Sequence, residues 1–216
     1  VKLDDNTLHC QEGPGFIILA KPHGIATHSP GDGVDGLVEI LSRARGTKFY
    51  AVHRLDKETS GALIFATSPH DAAVLTKLFE GHAVSKKYAF VTDKKRSTEP
   101  FTHASYIKKY RGRVVSWPKH TEMNAETSFS FLHNHGEYAL WRAEPRTGKP
   151  HQIRLHAKDC GIPILGDAQH GGSKFHRLML HAEAISFPWN GSIISYVAPL
   201  PDSFAKDLNR VNKTTL

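Results

Sequence analysis

The chain of 216 residues is 39% hydrophobic and carries 28 Lys and Arg against 21 Asp and Glu, a formal charge of +7 with a pI near 9.4. That length and apolar content suffice for a substantial core, as one large domain or two closely packed halves, and the charge favours a polyanionic partner such as nucleic acid. Two cysteines, Cys10 and Cys160, exclude a disulfide-stapled secreted scaffold, no run of about 18 apolar residues offers a membrane span, and Val1 to Cys10 lacks the apolar segment of a signal peptide, so a reducing cytoplasm is expected.

Strand and helix signals interleave along the chain without an internal repeat. Phe16 to Ala20 is short, β-prone and bounded by turn formers. A helix is predicted from about Leu37 to Arg45, and a second strand over Ala62 to Ala66. Ser68 is placed to cap a helix entered through Pro69, whose Ala72, Leu75, Leu78 and Phe79 recur at the spacing of one buried face, with Gly81 as its stop. Tyr88 to Val91 reads as a strand. The polar run Thr92 to Ser97 that follows is a loop or a connection between halves, either solvated or set against nucleic-acid phosphates. Thr127 to Phe131 alternates polar and apolar residues, which asks for a sheet with one wet face and antiparallel pairing. A third helix is expected from near Pro150 to Cys160 and Gly161, a strand over Ile193 to Val197, and a last helix after Pro201 and Asp202. The fold class is α+β, a mixed and mainly antiparallel central sheet flanked by helices and loops. It is read as one domain over residues 1–216, and because the chain does not begin with Met, a further module upstream stays open.

The densest chemistry lies in His53-Arg54-Leu55-Asp56-Lys57-Glu58-Thr59-Ser60-Gly61, where ionisable groups crowd ahead of a hydrophobic strand. Unpaired charges cost several kcal/mol to bury, so this segment belongs on open surface or around a pocket in which the charges satisfy one another. The segment resembles the His-Arg-Leu-Asp-x-x-Thr-Ser-Gly signature of the RluA-like family of RNA pseudouridine synthases. Further blocks resemble that family in its own order: Lys21-Pro22-His23-Gly24 with His28, Lys86-Lys87-Tyr88, Thr147-Gly148-Lys149-Pro150-His151-Gln152-Ile153-Arg154-Leu155-His156, Pro163-Ile164-Leu165-Gly166-Asp167, and Leu180-His181-Ala182. They extend from about residue 16 to 200. Lys149-Pro150 stands where Arg-Thr is commoner, and Thr92-Asp93 where a glycine often follows the Lys-x-Tyr strand.

The resemblance implies a pseudouridine synthase fold, an isomerase activity on a uridine of structured tRNA or rRNA, and no cofactor or metal. It implies that Asp56, Tyr88 and Arg154 are catalytic, with Arg54, His53, Lys21, Lys86, His151 and Gln152 binding substrate or RNA. The enzyme is expected to act as a monomer without membrane association, and the module that stays open upstream would bind RNA. Detaching uracil from C1′, turning it and rejoining it through C5 needs a carboxylate near the sugar, a site that retains the loose base, and a relay for the C5 proton. Asp56 suits attack on carbon or abstraction of the C2′ proton. Arg154, always charged and able to grip both carboxylate oxygens, suits the pairing with Asp56, while Tyr88 suits stacking on the extruded base. Arg54, two residues before Asp56 on an extended stretch, suits bracing the gap that a flipped uridine leaves. Each has a plainer alternative: a solvated loop acid for Asp56, a phosphate contact for Arg154, a strand aromatic for Tyr88 and a surface ion pair for Arg54.

The 15 histidines raise a metallohydrolase as a competing class, with His151, His156, His181 and Asp167 as ligands. On a helix, His151 and His156 stand roughly 140° apart rather than on one face as an i,i+4 pair would, which disfavours that reading. These histidines then serve as polar framework or RNA contacts. A catalytically inactive RNA-binding relative is the other alternative.

Overall fold

A computed structural model of the chain describes residues 9–31, 33–201 and 204. In chain order these form β1 (Cys10–Gly13), β2 (Phe16–Lys21), α1 (Leu37–Arg45), β3 (Tyr50–Ala51), β4 (Ser60–Ala66), α2 (Pro69–Glu80), β5 (Ser85–Thr92), β6 (Phe101–Tyr110), β7 (Arg113–Trp117), β8 (Ala125–His135), β9 (Tyr138–Pro145), α3 (Gln152–Asp159), β10 (Leu180–Trp189) and β11 (Ser192–Val197). The class is α+β with a mixed, mostly antiparallel sheet. The described residues separate into two compact units, one of residues 9–31, 33–85 and 182–199, the other of residues 86–181, 200–201 and 204. The chain crosses from one to the other inside β5, inside β10 and again after Pro199.

The first unit orders its strands β1-β2-β4-β10, with β3 also on β4 and β11 on β10. β2 and β4 run antiparallel from Phe16 opposite Ala66 to Lys21 opposite Gly61. Both are apolar on almost every residue, and β4 is buried throughout, as a strand covered on both faces must be. Phe16, Ile18, Ile64, Leu75, Phe187 and Trp189 form its core, and burying each such side chain contributes about 2 kcal/mol. The predicted helix α1 has the expected bounds, closed by Gly46 in the left-handed region with φ 61°. In α2 the Ser68 hydroxyl accepts from Asp71 N at 3.1 Å, and Pro69 occupies the first turn. The helix ends at Glu80 with Gly81 as its cap, as expected, and the left-handed residue is the next one. Gly81 keeps φ at −79° while His82 takes the left-handed conformation at 56°, since the chain must continue to Ala83, whose N–H caps Leu78 O at 2.9 Å.

The second unit orders its strands β5-β9-β8-β6-β7. The expected alternation in β8 is present: Thr127 and Phe129 are buried and Ser128 is exposed. Phe90, Phe129, Trp141, Ile153, Ile164, Leu165 and Met179 make the core. The run from Thr92 to Ser97 leaves β5 and stays within this unit, so it does not connect halves. Thr92 is buried, its hydroxyl donating to Pro163 O at 2.8 Å, and Arg96 donates to Cys160 O at 2.6 Å and lies over the Phe101 ring. The third helix begins at Gln152 rather than near Pro150, because His151 takes a left-handed conformation with φ 53° and interrupts the helical path there. The helix expected after Pro201 and Asp202 falls, but for Phe204, outside the described residues.

Candidate active site

In the first unit the acidic loop is fastened from beneath. Leu55 is buried, while Arg54 is exposed and Asp56 half-buried, the alternation that an extended stretch imposes. Thr27, itself buried, donates its hydroxyl proton to Leu55 O at 3.1 Å and accepts from Leu55 N at 3.2 Å, so a side chain completes the ladder of a residue that has no strand partner. Thr59 N closes the turn on Asp56 O at 3.1 Å. His53 stacks on Phe79, and its Nε2 accepts from Ile64 N at 3.0 Å, tying the start of the loop to α2 and β4.

Lys21, at the end of β2, has 1% of its surface exposed. Its ammonium donates to Pro22 O at 2.9 Å, Ile25 O at 2.8 Å and Lys57 O at 3.1 Å, and Gly24 N donates to the same Lys57 carbonyl at 2.7 Å. The 21–27 turn and the residue after Asp56 are thus held by one buried cation. Gly61 closes the segment with φ 114°, and a Cβ there would meet Ala182 O at 2.2 Å, which is why the motif ends in a residue without a side chain.

In the second unit, Lys86 and Tyr88 lie on β5, with Tyr88 half-buried opposite Ala143 of β9 and packed against the core. The Lys86 ammonium donates to Thr147 O at 3.1 Å, and its burial lowers the pKa. Helix α3 buries Gln152, Arg154 and His156 among apolar residues, so each polar group needs a partner. Gln152 accepts from Thr147 Oγ1 at 2.8 Å and Lys149 N at 3.0 Å, and donates to Glu126 O at 2.9 Å and Thr127 Oγ1 at 3.0 Å. His156 Nδ1 lies 2.9 Å from that hydroxyl and Nε2 2.9 Å from the Ser105 hydroxyl, an arrangement that a neutral imidazole satisfies with one donor and one acceptor nitrogen. Burial, with His103 beside it, takes the pKa of His156 down to about 4, in keeping with that neutral arrangement.

Arg154 meets Asp167 in a two-pronged pair: Nε donates to Oδ2 and Nη2 to Oδ1, both at 2.8 Å, with Nη2 also 3.3 Å from Gln169 Oε1. Burial pushes the Asp167 carboxyl up, but the bonds and charge of Arg154 outweigh it and hold its pKa below the usual range. His151 Nδ1 and His170 Nε2 share a proton at 2.9 Å, and burial lowers the pKa of His170 to about 4. Among the described residues, no three of His, Cys, Asp or Glu are grouped as metal ligands would be.

Of the nine residues singled out in the sequence, Lys21, His53, Arg54 and Asp56 belong to the first unit and Lys86, Tyr88, His151, Gln152 and Arg154 to the second. Thr27 carries no signal in the sequence beyond its place before His28 of the early turn. Asp167 stands at the end of the 163–167 block, where the sequence offers it only as a candidate metal ligand. The signal for its partnership was the buried position of Arg154, which requires a counter-charge.

The family model described as RNA pseudouridylate synthase matches residues 15–159. The chain is 33% identical over 183 residues to an uncharacterized RNA pseudouridine synthase of Haemophilus influenzae, covering 83% of this chain and 81% of that protein. It is 33% identical over 209 residues to the ribosomal large subunit pseudouridine synthase C of Rickettsia bellii, covering 89% and 68%. The solved human RNA pseudouridylate synthase domain containing 4 shares the fold at a TM-score of 0.76 and 23% identity, over 94% of this chain and 92% of that one.

Proposed function

Because this chain belongs to the RluA-like family of RNA pseudouridine synthases and is thus an isomerase acting on RNA, we propose that its substrate is a uridine in structured RNA, with large-subunit ribosomal RNA the first target and tRNA the second. The name of the Rickettsia bellii relative supports the ribosomal choice. In this reading Asp56 acts at the ribose, as nucleophile at C1′ or as base at C2′. Either role ends with the N1–C1′ bond broken, the C5–C1′ bond formed and the C5 proton removed, with no net change of oxidation state. Tyr88 stacks on the turning uracil and helps to move its C5 proton, Arg154 orients and balances the Asp56 carboxylate, and Arg54 braces the space from which the base has swung.

The observation that carries the proposal is the rigid seating of Asp56: Thr27 holds the residue before it, and Lys21 holds the residue after it. A group that must meet a sugar carbon within a fraction of an ångström needs such support. His151 serves RNA binding directly, whereas Lys21, His53, Lys86 and Gln152 serve it through the loops that they hold. Cys10 and Cys160, both free thiols, support a reducing cytoplasm, and the proposal includes a monomer, checked by light scattering. Among the described residues no helix is long and apolar enough to cross a membrane. The test is to map pseudouridine across total RNA from cells with and without this protein. One vanished site identifies the target, and an unchanged map overturns the proposed substrates.

A further inference from the structure

The loop after α3 is built around one carboxylate. Leu165 is fixed between Val91 O and Met179 N, at 2.8 Å and 2.9 Å. Gly166 follows with φ 81°, where a Cβ would lie 1.8 Å from Arg177 O, so the chain passes closer to its neighbour than any other residue allows. Asp167 N then bonds Ile164 O at 3.0 Å, and Gly172 N returns to Asp167 O at 2.9 Å. The backbone of Asp167 is therefore determined from both sides. Its side chain accepts Gln169 N and His170 N on Oδ1, each at 3.2 Å, and takes Arg154 on both oxygens. Asp167 is 1% exposed and Arg154 4%.

We infer that Asp167 is a positioning residue for the isomerisation, acting through Arg154: it fixes the plane of the guanidinium, and with it the direction of the Nη1 edge, before RNA binds. This rests on the proposed reading of Arg154 as a catalytic group. Asp167 exceeds a plain counter-ion in geometry. A counter-ion needs only proximity, whereas here the carboxylate is itself oriented by two backbone N–H groups and engages the Nε edge of the fork in the planar arrangement that arginine alone provides. A group held so firmly is prepared for a transition state and loses little freedom on reaching it.

The probe is [5-3H]uridine-labelled total RNA from cells lacking the protein, which contains the target whichever RNA that is. Tritium release is followed in single turnover at saturating enzyme, beside filter binding, for the whole chain and for Asp167→Asn, Asp167→Glu, Arg154→Lys and the double variant Arg154→Lys with Asp167→Asn. We expect Asp167→Asn to lower the saturated rate by about thirtyfold or more while RNA affinity stays within about threefold, because the amide keeps one acceptor and turns N–H groups toward the guanidinium. Asp167→Glu, which keeps the charge, recovers part of that rate. In the Arg154→Lys background, Asp167→Asn costs no more than about threefold further, since its effect runs through the missing guanidinium. A purely structural role gives losses that multiply. Multiplying losses, or an Asp167→Asn rate within threefold of wild type beside a crippled Arg154→Lys, overturns the inference and leaves the reading of Arg154 standing. Arg154→Lys turning over normally overturns both. If Asp167→Asn does not fold, Asp167→Glu alone and on Arg154→Lys completes the same cycle.

Discussion

Thr27 and Leu55 exchange two hydrogen bonds through a single hydroxyl, 3.1 Å outward to the carbonyl and 3.2 Å inward from the amide, one residue before Asp56. Thr27→Val keeps the shape and removes both bonds, leaving a buried N–H and a buried C=O without that partner. Each lost partner costs about 1–3 kcal/mol, so the variant should be less stable by at least 2 kcal/mol or so in urea unfolding. Its saturated single-turnover rate should fall as well. Thr27→Ser should restore most of both, and a Val variant as stable and fast as wild type would remove the seating argument.

Asp56→Asn should abolish pseudouridine formation while RNA affinity stays within about tenfold, roughly 1.4 kcal/mol, because phosphate contacts supply most of the binding. Asn is nearly the same size but cannot ionise. Tritium release and filter binding on one preparation measure both. Near wild-type release from the variant would end the assignment of Asp56.

Arg154 separates two roles by its substitutions. As a phosphate contact it would tolerate Lys and lose on Ala about one counter-ion of salt dependence. As a paired guanidinium it tolerates neither: Lys lacks the fork, and Ala leaves the buried Asp167 uncompensated at a cost of several kcal/mol. Turnover should collapse in both variants with a nearly unchanged salt slope. The outcome that sinks the paired role is a normal rate for Lys with weakened binding for Ala.

The sequence showed the elements more clearly than the contacts between them. α1 and the Ser68 cap were legible because their determinants, Gly46, Ser68 and Pro69, are local. The left-handed turns at His82 and His151 were not legible, since histidine, although it takes positive φ more often than most residues, still does so rarely, and the surroundings decide where. The chemistry of the 53–61 motif was legible by resemblance, but its supports were not: Lys21 reaches Lys57 across 36 positions and Thr27 reaches Leu55 across 28. For Arg154, a side chain that suits RNA equally well, only the fold revealed Asp167.

Stability should fall on both sides of about neutral pH. His103, with Nε2 at 3.6 Å from Asp159 Oδ2, is raised to about 9, chiefly by Asp159 and then Cys160, against the opposing effect of burial. Its contribution is complete below the ordinary 6.5 and is lost as pH rises through about 9. His156 and His170, lowered to about 4 by burial first, act oppositely: the unfolded chain takes protons that the folded one refuses as pH falls from 6.5 towards 4. Urea unfolding at pH 6, 7, 8 and 9 should show a decline on the order of 2 kcal/mol over the upper window. His103→Gln should flatten most of it, and parallel curves for variant and wild type would contradict the ion pair.

Chelation with EDTA should leave turnover of a prefolded short RNA unchanged. Loss of turnover that returns only with added zinc would overturn the metal-free chemistry.

The first unit is closed by residues from both ends of its sequence. Phe16 meets the rings of Phe187 and Trp189 at 5.3 Å and 5.8 Å, Trp189 Nε1 donates to Pro14 O across 175 positions, and the Tyr196 hydroxyl donates to His9 O across 187. On a ribosome adding roughly 5–20 residues per second, β2 and β4 therefore emerge on the order of ten seconds or more before the strand that completes their core. During that interval the whole stretch from Lys86 to His181 is made, and the ring of Phe16 awaits Phe187 and Trp189, which do not yet exist. The nascent chain is most vulnerable to wrong association in the middle of its synthesis, and a chaperone that holds unfolded chains would bind it most strongly there.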